Sequence, residues 1–223
     1  MITQICAVES FEEAKSLVEI GVDYIGVVVG ITDKYSGVLN PEQAKTVLLG
    51  VAGQAKKVVL PFTESFKDII AIAQETNPDI LHIVAEPCVF LLTDFIALKK
   101  QVPHIKIMRT IPVTDEKSIG MAKEYDGIAD YLLLDSRSKK NNQIGITGET
   151  HDWNISRKIV QSVSVPVILA GGIGPDNVVE SILTVNPFGV DSKTKTEIPG
   201  SNKKDIEKIK NFVRLAKTTK YRQ

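Results

Sequence analysis

Short apolar runs rich in β-branched residues alternate along the whole chain with stretches whose apolar positions recur three and four apart. The runs predict strands over residues 2–6, 23–29, 56–60, 79–84, 105–109, 131–134, 166–170 and 188–190. The intervals predict helices over 11–20, 41–50, 64–76, 89–101, 115–124, 154–162, 175–183 and 203–217. Ala14, Leu17 and Val18 give the first helix its apolar face, Ser10 with Glu13 reads as a capping box, and Gly21 reads as its stop. Asn40 before Pro41 reads as an N-cap with proline at the first helical position. Val27, Val28 and Val29 are apolar without alternation, as in a parallel strand covered on both faces. Eight βα units in series, with no linker or low-complexity segment, predict one α/β domain over 1–223, a single (β/α)8 TIM barrel. An open doubly wound sheet is the alternative, but Gly171-Gly172-Ile173-Gly174 lacks the GxGxxG spacing and lies late in the chain.

Charge removes some functions. The 27 basic and 27 acidic residues balance to a net +0, which argues against a basic face built for nucleic acid. The apolar runs are too short to span a bilayer, and Met1 leads directly into a strand pattern without a signal-peptide core. A cytoplasmic protein without a membrane or nucleic-acid partner is expected, as a monomer or homodimer. Cys6 and Cys88 stand far apart without a CxxC pattern, which predicts free thiols rather than a disulfide framework or a zinc site.

In such a barrel the chemistry sits where strands end at the C-terminal face. Cys6 ends the first predicted strand. The two-residue period places Gln4 and Cys6 on one side and Ile5 on the other, so Cys6 faces the mouth if Ile5 packs under the helices. A small buried hydrophobe is the plainer role for such a cysteine. Asp135 follows Leu132-Leu133-Leu134, where a purely structural charge is costly, although a loop or N-cap carboxylate is also open to it. Gly148, Gly171 and Gly172 follow the sixth and seventh strands, and Pro175 is read as opening a helix whose N-terminus favours an anion. A phosphorylated small molecule is the expected ligand.

Together these segments resemble the phosphoribosylanthranilate isomerase family, nearly throughout and in order. Gln4-Ile5-Cys6-Ala7 resembles an opening KICG, and Leu133-Leu134-Asp135 an LLD. GITGETHDW, from Gly145 to Trp153, is similar to GGTGKTFDW. AGGIGPDNV, from Ala170 to Val178, is similar to AGGLTPENV. Pro187 to Asp191 follows PYGVD, and Pro199-Gly200 with Lys203-Lys204-Asp205 follows PGKKD. The resemblance implies isomerisation of N-(5-phosphoribosyl)anthranilate to its ketose, 1-(2-carboxyphenylamino)-1-deoxyribulose 5-phosphate, in tryptophan biosynthesis. It implies Cys6 as general base and Asp135 as general acid, with no metal or organic cofactor. It also implies a phosphate site from Gly148, Gly171, Gly172, Ser192, Lys193 and Thr194. The acid then needs a raised pKa and the thiol a lowered one.

Four segments depart from the family pattern, those after the second and fourth strands at the non-phosphate end of the substrate. KICG has become QICA. The family's arginine on the loop after the second strand is absent, with Gly37 in its place and Lys34 available only in a shifted match. QLHG has given way to Leu81-His82-Ile83-Val84, leaving His82 as a packing or substrate-contact residue. DVSSGVE has become Asp191-Ser192-Lys193-Thr194-Lys195-Thr196-Glu197, which exchanges a glycine for lysines. His104 is read as a surface residue, and His151 stands where the family has phenylalanine. An isomerase or epimerase of another sugar phosphate, and a non-catalytic phosphometabolite-binding paralogue, are the alternatives.

Overall fold

The computed structural model describes residues 1–30, 37–51, 53–86, 88–138, 144–145 and 148–220. Its strands are β1 (Ile2–Ile5), β2 (Tyr24–Val29), β3 (Val38–Leu39), β4 (Lys56–Pro61), β5 (Ile80–Ile83), β6 (Lys106–Val113), β7 (Tyr131–Ser136), β8 (Val167–Leu169) and β9 (Gly189–Ser192). All pair in parallel, and β1 pairs with both β9 and β2, so eight strands close a barrel while the short β3 flanks β2. Helices α1 (Phe11–Ile20), α2 (Pro41–Leu49), α3 (Phe66–Thr76), α4 (Leu92–Gln101), α5 (Lys117–Glu124), α6 (Trp153–Ser162), α7 (Val178–Val185) and α8 (Ile206–Thr218) alternate with the barrel strands. Among the described residues no helix is long and apolar enough to cross a membrane.

Strand alternation divides the core. Ile5, Ile25, Leu81, Ile107, Leu132, Leu134 and Val190 lie between strands and helices, whereas Tyr24, Val58, Ile80, Met108, Leu133 and Ile168 fill the barrel interior. Moving up each strand, the inward positions turn polar: Gln4, His82, Thr110, Asp135 and Asp191. A dry lower plug thus supports a polar upper chamber. At the opposite end, Asp23, Asp79 and Asp130 each accept a backbone N–H from the neighbouring strand, at Thr3, Lys57 and Ile107 (2.8–2.9 Å). These aspartates tie the strand starts together on the face associated with stability.

Some element ends differ from the sequence reading. β6 runs on to Val113 and β7 to Ser136, so Asp135 lies within a strand paired to Pro112. Arg109 does not end β6. It is fully buried on the helix side, its guanidinium 5.5 Å from the Phe95 ring centroid and 5.0 Å from that of Tyr125, and it donates to the Ala85 carbonyl. Pro175 does not start a helix either. The Asn177 side chain accepts from Gly174 N–H and donates to the Gly172 carbonyl, holding 175–177 as a turn, and α7 begins at Val178. Likewise Asp205 accepts from Lys208 N–H, which sets the start of α8 at Ile206.

Candidate active site

Ile5 packs toward the helices and is fully buried, so the period of β1 turns Cys6 inward as expected. The Cys6 N–H donates to Ser192 O (3.1 Å), tying the end of β1 to β9. On β2 an inward Cβ at Gly26 would stand 3.4 Å from Cys6 Sγ, so the sulfur packs beside the β2 backbone inside the barrel. Cys6 is free and buried; Cys88 is free and exposed.

Asp135 projects inward from β7 and lines a cavity with Asp191. Its Oδ1 accepts from Ser136 N–H (2.7 Å). A Cβ at Gly145 would come within 2.6 Å of Oδ2 and one at Gly171 within 3.2 Å of Oδ1, so glycine is needed at both walls. Burial pushes this carboxyl up to about 7, against the opposing pull of the Ser136 hydrogen bonds. Asp191, which follows Val190 much as Asp135 follows Leu134, is a second buried acid in this cavity. It too is pushed up to about 7, first by burial and then by the Asp135 charge.

The Cys6 thiol departs from expectation. Burial and the Asp191 charge push it up to about 12, and Lys204 and Lys193 only partly offset them. A resting thiol, not a thiolate, follows. Burial is the first cause and the Asp191 carboxyl the second, and it is the closure of β9 on β1 that brings that carboxyl close.

Gly148, Gly171, Gly172, Ser192, Lys193 and Thr194 all line one cavity with Ile173, Lys195, Asp135 and Asp191. Gly172 has φ +63°, and a Cβ there would lie 2.8 Å from both Gly148 O and Glu149 C, so no other residue fits the approach of these two loops. Ser192 Oγ donates to Ile173 O (2.7 Å), which joins the loop after β8 to β9. Lys193 Nζ pairs with Glu197 (3.0 Å), and Lys204 Nζ pairs with the same carboxylate (2.9 Å). The lysine beside the cavity is therefore already half neutralised.

His82 lies inside the barrel below the mouth, with Nε2 2.6 Å from Thr110 Oγ1, and burial lowers its pKa to about 3. It is a neutral wall residue rather than a catalyst in reach of the opening. His104 is exposed beside Asn77, as expected. His151 is part-buried beside the loop after β8. Its Nε2 lies 2.7 Å from Ser156 Oγ, burial lowers its pKa to about 4, and its Nδ1 stands 2.9 Å from where a Gly171 Cβ would be. Lys34 lies outside the described residues. Among the described residues no cluster of His, Cys, Asp and Glu could hold a metal ion.

Residues 3–215 match the family model described as N-(5'phosphoribosyl)anthranilate (PRA) isomerase. The chain belongs to this family. N-(5'-phosphoribosyl)anthranilate isomerase 2 of Methanosarcina mazei is 33% identical over 214 residues, 96% of this chain and 93% of its own. The Methanocella arvoryzae N-(5'-phosphoribosyl)anthranilate isomerase is 31% identical over 218 residues, 97% and 98% of the two chains. In structure, the phosphoribosyl anthranilate isomerase from Thermotoga maritima superposes with a TM-score of 0.79 at 26% identity, covering 97% of this chain and 99% of that one. For this PRA isomerase family member, then, the barrel and the sequence resemblance agree, and the chain is an intramolecular isomerase.

Proposed function

We propose that this chain isomerises N-(5'-phosphoribosyl)anthranilate, with Asp135 as general acid and Cys6 as general base inside the upper barrel. The observation that carries this reading is the buried Asp135 carboxyl: it lines the glycine-walled cavity and holds its proton to about 7, and Asp191 of the same cavity is the carboxylate that acts on the inward Cys6 sulfur. Asp135 gives its proton to the ribose ring oxygen as the C1–O bond breaks and the amine lone pair forms an iminium. The Cys6 thiol gives its proton to solvent, and the thiolate takes the C2 proton; the C–H electron pair becomes the C1=C2 bond of the enolamine as the iminium pair returns to nitrogen. Ketonisation then adds a proton at C1 and releases one from the C2 hydroxyl. Cys6 is a thiol again, and Asp135 recovers from solvent the proton that the thiol released, which closes the cycle.

The phosphate is assigned to backbone groups around Gly148, Gly171, Gly172, Ser192 and Thr194, with Lys193 as the nearby cation. His82 walls the chamber from below, and Lys34 is the cation proposed for the anthranilate carboxylate. One of the solved relatives is a complex with reduced 1-(o-carboxyphenylamino)-1-deoxyribulose 5-phosphate, at 25% identity and a TM-score of 0.77, which supports the ligand class. A different sugar phosphate is the second reading, favoured by the loss of the family's arginine. The test compares turnover of freshly prepared substrate by wild type, Cys6→Ser and Asp135→Asn. Each variant should fall by about 100-fold or more with its circular dichroism unchanged. Turnover within a few-fold of wild type would mean another base or acid.

A further inference from the structure

Gln4 of β1 and Asp191 of β9 are register partners, and both turn into the barrel because Ile5 and Val190 occupy the helix side. Gln4 is fully buried and Asp191 is 9% exposed. Gln4 lies close enough to favour the carboxylate weakly, yet neither its Nε2 and Oε1 nor Asp191 Oδ1 reaches hydrogen-bond geometry with a partner among the described residues. Asp191 thus shares a cavity with Asp135 and has only a neutral amide directly across the ladder.

The charges facing it complete the balance. From β7 comes Asp135, and from the end of β1 the Cys6 sulfur. Lys193 follows β9, and Lys204 precedes α8, but both are tied to Glu197. Two ionised carboxylates in so dry a space repel. A lysine at position 4, as in the KICG that this segment resembles, would stand against Asp191 and hold it ionised.

We propose that Asp135 and Asp191 hold a single proton between them at neutral pH, and that Gln4, by being neutral, keeps that proton in the site. Asp191 is then a positioning residue for the acid: its charge adds to burial in keeping Asp135 protonated, and the same charge disfavours the Cys6 thiolate. The proposal rests on the reading of Asp135 as general acid, but its test does not need turnover. The carboxylic C=O stretch of a buried acid can be titrated by infrared difference spectroscopy, using wild type minus Asp135→Asn to assign the band. In both Gln4→Lys and Asp191→Asn the midpoint at which Asp135 loses its proton should move down by at least one pH unit, a tenfold change in its proton affinity. The alkaline limb of kcat should move with it wherever activity is measurable, and a merely structural role would leave that limb in place. A midpoint unchanged in either variant overturns the proposal. A wild type without isomerase activity that still shows both shifts would overturn the assigned reaction and leave the shared proton standing.

Discussion

Replacing Glu197 by glutamine keeps its shape and removes its charge. Glu197 is 6% exposed on its side chain and holds Lys204, whose side chain is fully buried, at 2.9 Å and Lys193, at 17%, at 3.0 Å. Its backbone carbonyl accepts from Lys208 Nζ (3.0 Å), and the Lys204 N–H donates to Glu13 Oε1 (3.1 Å), so the segment cannot easily turn the lysine out to water. Removing one partner of a buried ion pair costs about 3–5 kcal/mol, because the remaining charge is left without compensation. Lys193 can reach solvent, so the cost should come from Lys204 and fall near the lower figure, about 3 kcal/mol. For a chain of this size that is roughly 6–12 °C in melting temperature. Urea unfolding followed by circular dichroism would measure it, with Glu197→Leu/Lys204→Met as the control that removes both charges and should recover most of the loss. A Glu197→Gln loss below about 1 kcal/mol, or a double variant as unstable as the single one, would refute the reasoning.

The Asp135 carboxyl is raised in the folded state, so the folded chain holds more protons than the unfolded one between 3.8 and about 7, and this group's contribution falls as pH rises through that window. Asp135→Asn should therefore be more stable than wild type at pH 8, by on the order of 2–4 kcal/mol, with the difference shrinking toward pH 4; chemical denaturation at the two pH values checks it. Inorganic phosphate should protect wild type against thermal unfolding, by about 2.7 kcal/mol at a hundredfold excess over its Kd, and Gly172→Val should lose that protection because a side chain cannot fit 2.8 Å from Gly148 O. Unchanged protection in the valine variant would place the anion elsewhere.

The barrel was legible because hydrophobic period and unit count are local properties. The glycine and lysine cavity was legible because the resemblance is densest there. The misses have specific causes. The predicted strands end at Arg109 and Leu134, whereas β6 runs on to Val113 past an Arg109 buried between two rings and β7 runs on to Ser136. Asp191 ends an apolar run as Asp135 does, so the same signal could have found it. Its effect on Cys6 depends on β9 closing against β1, which no local pattern encodes. Pro175 carried a real helix-start signal, but Asn177 bridges Gly172 and Gly174 and holds the turn open for three more residues.

The most direct test of the account is the reaction itself: purified protein mixed with freshly prepared N-(5'-phosphoribosyl)anthranilate, with formation of the ketose followed beside Cys6→Ser and Asp135→Asn. Wild-type turnover that both substitutions reduce by about two orders of magnitude or more is the predicted result. Absence of wild-type turnover, in protein that is folded and still protected by phosphate, would contradict the assigned reaction.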